Sequence, residues 1–333
     1  IVSLQIPRSD FSSHSLSTQV QMLCVSPPTV DQMTKRPSFL DHIREYVTPA
    51  DFLEAAEQTA ASPDLLPVYD AVNRMKEPSK SARLRLFSFP IGQPVFWFVL
   101  IENTLENPFI LMVRNPTPVF ESATFEGALG LFLAEISKNL IDSRAITTIA
   151  ERCLACELAR HLPTYLPSHS SITSKPFNLF HMRQSQIVKL NELELSPPYG
   201  YSFDGANEDD AELIAETSEG SLTVEAARAR LSSLPYVLIR GPHGDAVCHE
   251  LSSPAGGLTH LFTHVDHRRI GLGTMAEMKL AQDLARNGVT PFKAVCTYNT
   301  SVHRSSMESS FWTLLNRNGT PVDFIVEQFG LSQ

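Results

Sequence analysis

The stretch LTHLFTHVDHRRIGLGTMAEMKLAQDLARNG, residues 258–288, decides the fold. LTHLFTHV (258–265) reads as an apolar strand, and TMAEMKLAQDLARNG (274–288) reads as an amphipathic helix closed by Gly288 at the position a C-terminal cap requires. Between them lies Arg268-Arg269-Ile270-Gly271-Leu272-Gly273-Thr274. The small residues let the backbone approach a ligand. The unpaired N–H groups of a helix start point along the positive end of its dipole. A strand–turn–helix of this composition is built to hold a phosphate or pyrophosphate.

Working outward, the spacing predicts a regular series after residue 200. YSF (201–203) opens a strand, DDAELIAETS (209–218) and LTVEAARARLSSL (222–234) give two helices, and YVLIR (236–240) and AVCHELS (246–252) are strands joined by the turn GPHG. After the decisive stretch come strand FKAVCTY (292–298), helix VHRSSMESSFWTLL (302–315) and strand VDFIVEQF (322–329). The order is β-α-α-β-β-β-α-β-α-β.

The preceding part predicts a second mixed unit. Thr48-Pro49 is an N-cap followed by proline at the first helical position, leading into ADFLEAAEQTAA, and PDLLPVYDAVNRM follows with helical spacing. Strands are expected at 83–89, 94–101 and 109–114, helices at 125–140 and 145–162, and a closing strand at 177–183. ELELSPPYG (192–200), with paired prolines and a glycine, marks the boundary. The expected organisation is a poorly structured segment over 1–37, one domain over 38–194 and a second over 195–333. No solenoid repeat and no low-complexity tract interrupts it.

Composition bounds the function. The chain has 333 residues, 43% of them hydrophobic and 19% charged, with 27 basic and 36 acidic side chains giving a net charge of −9. These values belong to a globular protein, and the acidic balance argues against a nucleic-acid or anionic-membrane binder. The longest apolar run, PVFWFVLI (94–101), has the length of a buried strand and falls short of the roughly 20 residues of a membrane span. Five cysteines at irregular spacing read as reduced thiols, the state expected in an intracellular compartment. The first 30 residues show neither an h-region nor an Arg-rich amphipathic pattern.

Two readings compete for the turn. Gly271-x-Gly273-x-x-Ala276 matches a dinucleotide fingerprint, but FKAVCTY ends on no acidic residue to hold a ribose, and too little chain remains for further βα units. The other reading is R-x-x-G-x-G after a strand, inside the element order given above. There the sequence resembles the GNAT acyltransferase superfamily and, within it, the glycine N-acyltransferase-like family. Members of that family join a degenerate amino-terminal acyltransferase-like domain to a working carboxy-terminal one. The resemblance implies a mixed α/β fold (α+β, mixed sheet) of two such domains in tandem.

The resemblance also implies acyl-CoA or acetyl-CoA as co-substrate, without a metal. It places the pyrophosphate on Arg268, Arg269, Ile270, Gly271, Leu272, Gly273 and Thr274, and the pantetheine arm along Leu261, Phe262 and Thr263. Asn299 matches an asparagine that contacts CoA. Arg269 stands where the family often has glycine, a position read as the less demanding one. No tyrosine stands near Ser305 and Ser306, where a thiolate-protonating tyrosine is common. The family's glutamate falls on Gly257, which leaves His260 on the same strand and Glu250 on its neighbour as candidate bases.

The chemistry asks for an amine that loses a proton, a donor for the developing oxyanion, and a departing thiolate. A backbone N–H near Phe262 is the expected oxyanion donor. The acceptor is a small amine such as glycine or another amino acid, with a protein or polyamine amine as the alternative; a non-catalytic acyl-CoA binder is the reading from a different class. The resemblance implies a mitochondrial or cytosolic setting. Outside this region, Cys153-x-x-Cys156 lacks a second pair for zinc and reads as helix packing, Phe311 and Trp312 as core, and EDDAE (208–212) as a solvated helix start.

Overall fold

The computed structural model describes residues 42–76, 82–103, 109–117, 119–140, 145–218 and 222–331. The segment 1–37, expected to be poorly structured, lies outside the described residues. The amino-terminal half runs β1 (Arg44–Tyr46), α1 (Pro49–Ala60), α2 (Leu66–Met75), β2 (Ala82–Phe89), β3 (Phe96–Asn103), β4 (Phe109–Arg114), α3 (Ser122–Leu140), β5 (Ala145–Glu151), α4 (Arg152–Tyr165), β6 (His169–His181) and α5 (Gln184–Asn191). The carboxy-terminal half continues with β7 (Ser202–Asp204), α6 (Asp210–Thr217), α7 (Val224–Ser233), β8 (Tyr236–Arg240), β9 (Ala246–Ser252), β10 (Leu258–Thr263), α8 (Leu272–Arg286), β11 (Phe292–Cys296) and α9 (Thr300–Glu308). It closes with the short strands β12 (Thr313–Leu314), β13 (Asn316–Arg317) and β14 (Thr320–Pro321), and with β15 (Asp323–Leu331).

Local chemistry sets many of these boundaries. The Thr48 hydroxyl accepts from the Asp51 N–H while the Asp51 carboxylate accepts from the Thr48 N–H, a reciprocal cap that starts α1. Gly288, with φ +76°, follows the end of α8 as the sequence leads one to expect. Two expected helices are corrected. Residues 145–151 form β5, because Ile146, Thr147, Thr148 and Ile149 are β-branched and alternate across a sheet; α4 begins only at Arg152. The helix expected over 302–315 stops at Glu308, and Trp312 and Leu314 drop into the core beside β12.

One mixed sheet spans both halves in the order β1-β2-β3-β4-β5-β15-β6-β11-β10-β9-β8-β7. Its centre exchanges strands. β15, the last strand of the chain, pairs with β5 of the first half, while β6 of the first half pairs with β11 of the second. β6 and β15 also pair with each other, from Asp323 opposite Asn178 to Leu331 opposite His169. Each half-sheet is therefore completed by a strand from the other.

Apolar cores cover both faces. In the first half, α3 and α4 bury Phe125, Phe132, Leu154 and Leu158 against Phe87, Phe98 and Leu111, while Val68, Ala71 and Val72 of α2 cover Trp97 and Val99 on the other face. In the second half, α8 packs on Val237, Ile239 and Cys248, and α6 and α7 pack around Leu251. The expectations for Trp97 and Trp312 as core hold, at 1% and 5% exposure. Asp210 departs from the solvated helix start: it is buried and paired with Arg240 at 2.8 Å. Cys153 and Cys156 lie exposed on α4 as free thiols, so helix packing does not account for them. Among the described residues no helix is long and apolar enough to cross a membrane.

Candidate active site

The site begins with a strand pair that comes apart. β10 and β11 run parallel, and their ladder consists of Leu258 opposite Lys293. Beyond that point β10 remains paired only with β9, and there it carries a bulge. Thr259 faces Leu251 and Phe262 faces His249, so His260 and Leu261 together oppose Glu250. His260 has φ +54°, a left-handed conformation that a side-chain-bearing residue adopts only when its surroundings impose it. Beyond Leu258 opposite Lys293 the ladder between β10 and β11 does not continue, and the two strands diverge along Leu261, Phe262 and Thr263.

Gly256 and Gly257 hold the closed end of this opening. Gly257 has φ +76°, and a Cβ placed there would come within 2.6 Å of the Phe292 carbonyl oxygen. A glutamate therefore cannot stand at Gly257 while Leu258 and Lys293 stay in register. The loop is also fixed from the other half: Arg74, ion-paired to Asp70 on α2, donates to the Pro254 carbonyl at 2.6 Å, and Ala255 enters the core beside Val68 and Trp97.

At the other end, β10 leads through the turn into α8. Arg268 Nε donates to the Thr263 carbonyl at 2.8 Å, tying the turn to the strand. Arg269 has φ +68°, so the position read as undemanding is a left-handed one, which glycine adopts without strain and arginine does not. Gly271, with φ +88°, is the N-cap residue, no side chain caps the helix, and α8 starts at Leu272, two residues earlier than the pattern suggested. The first-turn N–H groups thus combine with the helix dipole and with exposed Arg268 and Arg269. Leu272 is 1% exposed and can offer a ligand only its backbone. At Gly273 a Cβ would lie 3.3 Å from Thr263 Oγ1, so this glycine sets the approach of helix to strand.

A groove of about 630 Å³ extends from this turn, lined by Gly271, Thr274 and Met275 of the α8 start, by Ser305 of α9, and by Leu195 and Phe311. Asn299 is placed at the N-cap of α9, where its Oδ1 accepts from the Val302 N–H at 3.2 Å. Ser306 is buried, its hydroxyl donating to the Val302 carbonyl.

The two candidate bases lie on opposite faces of the sheet. His260 faces α7, where Arg230 NH1 lies 3.2 Å from its Nδ1 and Thr259 Oγ1 lies 3.1 Å away. Burial, then the charges of Arg230 and His249, push the His260 imidazole down to about 4. Glu250 lies under α8 with its Oε2 buried and unpartnered. Burial and the charge of Glu277 raise its carboxyl well above the ordinary range, with Lys293 opposing. Lys293 is ion-paired to Glu277, whose other oxygen accepts from Trp312 Nε1 at 2.9 Å. Glu250 sits in the core, across the sheet from His260.

The structure adds two groups that the sequence reading did not assign to the site. His249 stacks on Phe262 with ring centroids 5.5 Å apart, and burial pushes it down to about 4 against the pull of Asp210. Arg230 reaches His260 from a helix 30 residues upstream. Strand alternation puts His249 on the His260 face once the bulge is known; nothing in ARARL singles out Arg230.

No family model matches the chain, and no curated protein sequence matches it. Among solved structures, a Drosophila protein is similar over 87% of this chain and 98% of its own, with a TM-score of 0.63 at 11% identity. A GCN5-related N-acetyltransferase from Sphaerobacter thermophilus is similar over 88% of this chain and 96% of its own (TM-score 0.48, 12% identity). A tandem GNAT protein from the clavulanic acid biosynthesis pathway is similar over 87% and 98% (TM-score 0.45, 14% identity). The Drosophila structure supports a shared fold over nearly the whole of both chains, and at this identity the likeness is one of fold.

Proposed function

We propose that the protein is an acyl-CoA-dependent N-acyltransferase that transfers an acyl group from the CoA thioester to the amine of glycine or another small amine within a ternary complex. The observation that carries this reading is the unpaired stretch of β10 leading directly to the uncapped, Arg-flanked start of α8. A sheet covered by helices on both faces needs no such gap for stability, since each broken ladder position leaves backbone groups to be satisfied by something else. A pantetheine arm satisfies them, and the helix start receives the pyrophosphate.

In this reading each substrate has its own face. CoA enters by the groove beside α8 and α9, and the amine reaches the carbonyl from the α6–α7 face through the gap between β10 and β11. On that face Arg230, His249 and His260 lie together, and the acceptor proposed for it is glycine or another amino acid, with a polyamine or protein amine as the alternative. We place the carboxy-terminal domain at 195–333 and assign catalysis to it, with the domain at 38–194 as its degenerate partner; a mitochondrial or cytosolic location remains part of the same proposal.

The test is amine-dependent release of free CoA thiol from acetyl-, benzoyl- and longer acyl-CoAs, with glycine, other amino acids and polyamines as acceptors. Release with an amino acid, abolished when Gly273→Trp blocks the helix start, supports the reading. Acyl-CoA binding without release for any acceptor would replace it with the non-catalytic binder.

A further inference from the structure

The first half reaches the closed end of the β10–β11 opening through α2. The turn Ser253–Gly257, which joins β9 to β10, is folded by its own backbone: the Ser253 N–H donates to the Gly257 carbonyl at 2.9 Å and the Gly256 N–H to the Ser253 carbonyl at 2.8 Å. Three consecutive residues of this turn then meet the other half. The Pro254 carbonyl accepts from Arg74 Nη1, 180 residues away in sequence. Ala255 is buried in the same core as Val68 and Trp97. A Cβ at Gly256 would run into the Asp70 carboxylate, so α2 lies directly on the backbone of the turn. Asp70 is buried and accepts from Arg74 Nε at 2.7 Å, which aims the guanidinium at Pro254.

The opposite side of the turn rests on β11. A Cβ at Gly257 would collide with the Phe292 ring and carbonyl, and Phe292 is buried with Leu179 and Phe324 of the exchanged strands. The turn is therefore gripped between α2 and the start of β11. The next residue is Leu258, the β10 position that stands opposite Lys293. The bulge at His260 and Leu261 comes directly after it. The grip thus fixes where β10 begins relative to β11, and with it where the two strands part.

We infer that Arg74, oriented by Asp70, is a positioning residue for the acyl end of the opening, and that the amino-terminal half serves the reaction by supplying it. This rests on the acyl-transfer reading given above. In that reading the pyrophosphate lies at the α8 start and the pantetheine arm runs from Thr263 toward Leu261, so the thioester carbonyl comes to the closed end. Arg74 acts through the turn, on where that carbonyl sits relative to the amine. Its loss displaces the reacting atoms and leaves the distant pyrophosphate contacts in place.

The kinetic test separates position from fold. A misplacement of about 1 Å costs on the order of 100-fold in rate, so Arg74→Ala should lower kcat about 10- to 100-fold, counted per acetyl-CoA-binding site by calorimetry, with KM for acyl-CoA changed less than about threefold. Arg74→Lys keeps a charged donor and should recover most of the loss. Arg44→Ala is the control: Arg44 is paired with Asp51 and Glu54 of α1, so its removal should lower stability and leave kcat per site unchanged. An unchanged kcat per site in Arg74→Ala, or an equal fall in Arg44→Ala, would overturn the inference.

A second readout does not depend on turnover. Hydrogen exchange of the free protein should rise across 253–263 in Arg74→Ala and stay as in the wild type across 109–114. No rise at 253–263, or an equal rise in both segments, would overturn the inference. If no acyl-CoA and acceptor pair turns over, the acyl-transfer reading fails, and the exchange result alone decides whether α2 holds the turn.

Discussion

The two halves place a parallel strand pair at equivalent points of the same sheet, and the two pairs differ. In the first half, β4 and β5 stay in register over five positions, from Phe109 opposite Ile146 to Val113 opposite Ala150. In the second, β10 and β11 keep one. The zipped pair ends in Arg114, buried over the Phe324 ring, and is followed in sequence by NPTPVFE (115–121), which has two prolines and no glycine. The splayed pair has the Gly256–Gly257 pinch at one end, a bulge in its middle, and Gly271 and Gly273 at the other. Topology alone does not make a substrate slot. In the proposed reading it takes a broken ladder and a glycine turn beside it, and the second half alone combines the two.

The sharpest way to break this comparison is to separate the halves. Because β6 completes the second half-sheet and β15 the first, residues 195–333 expressed alone would leave the β11 edge unpaired and buried core residues such as Phe292 uncovered by Leu179. The expected outcome is no cooperative thermal transition for 195–333 by circular dichroism and recovery of one on co-expression with 39–194. A cooperative transition in the isolated fragment would show that the exchanged strand is dispensable.

A smaller effect tests the pinch. Gly257→Ala combines a left-handed backbone with a Cβ 2.6 Å from a carbonyl oxygen, and should cost about 3 kcal/mol in urea unfolding. Gly271→Ala has the same backbone hand but open space around the added methyl, and should cost about 1 kcal/mol. Equal costs would mean that Gly257 does not set the register of Leu258 and Lys293.

The smallest effect is a pH dependence confined to the second half. The folded His249 is pushed down to about 4 from an ordinary value of 6.5, so between those values the unfolded chain binds the extra proton. The stabilisation is therefore present above about pH 6.5 and is lost as pH falls toward 4, amounting to about 2 kcal/mol between pH 7 and pH 5. His260 is pushed down to about 4 as well and contributes over the same window, so His249→Gln should reduce that part of the slope by about half; an unchanged slope would contradict the assignment.

What the sequence made legible was local. The strand, turn and helix of 258–288 announce themselves through apolar runs, two glycines and a cap within one short stretch, and the structure puts Arg268 to Thr274 where that pattern indicated. Misreadings arose where local signals conflicted. AITTIAE runs without a break into the Ala- and Leu-rich helix that follows it, although its β-branched residues favour a strand, and FWTLL continues a helical period that the core interrupts at Trp312. The rest depends on pairings between distant residues. Neither the exchange of β6 and β15, nor the approach of Arg230 to His260, nor the placement of Glu250 across the sheet from His260 leaves a signal in the spacing of one chain segment.

The central claim is that acyl-CoA is held by the splayed pair and not by the zipped one. Hydrogen exchange measured by mass spectrometry, with and without saturating acetyl-CoA, tests it most directly. The account predicts added protection in peptides covering residues 258–275, with peptides covering 109–125 unchanged. Protection at 109–125, or none at 258–275, would contradict it.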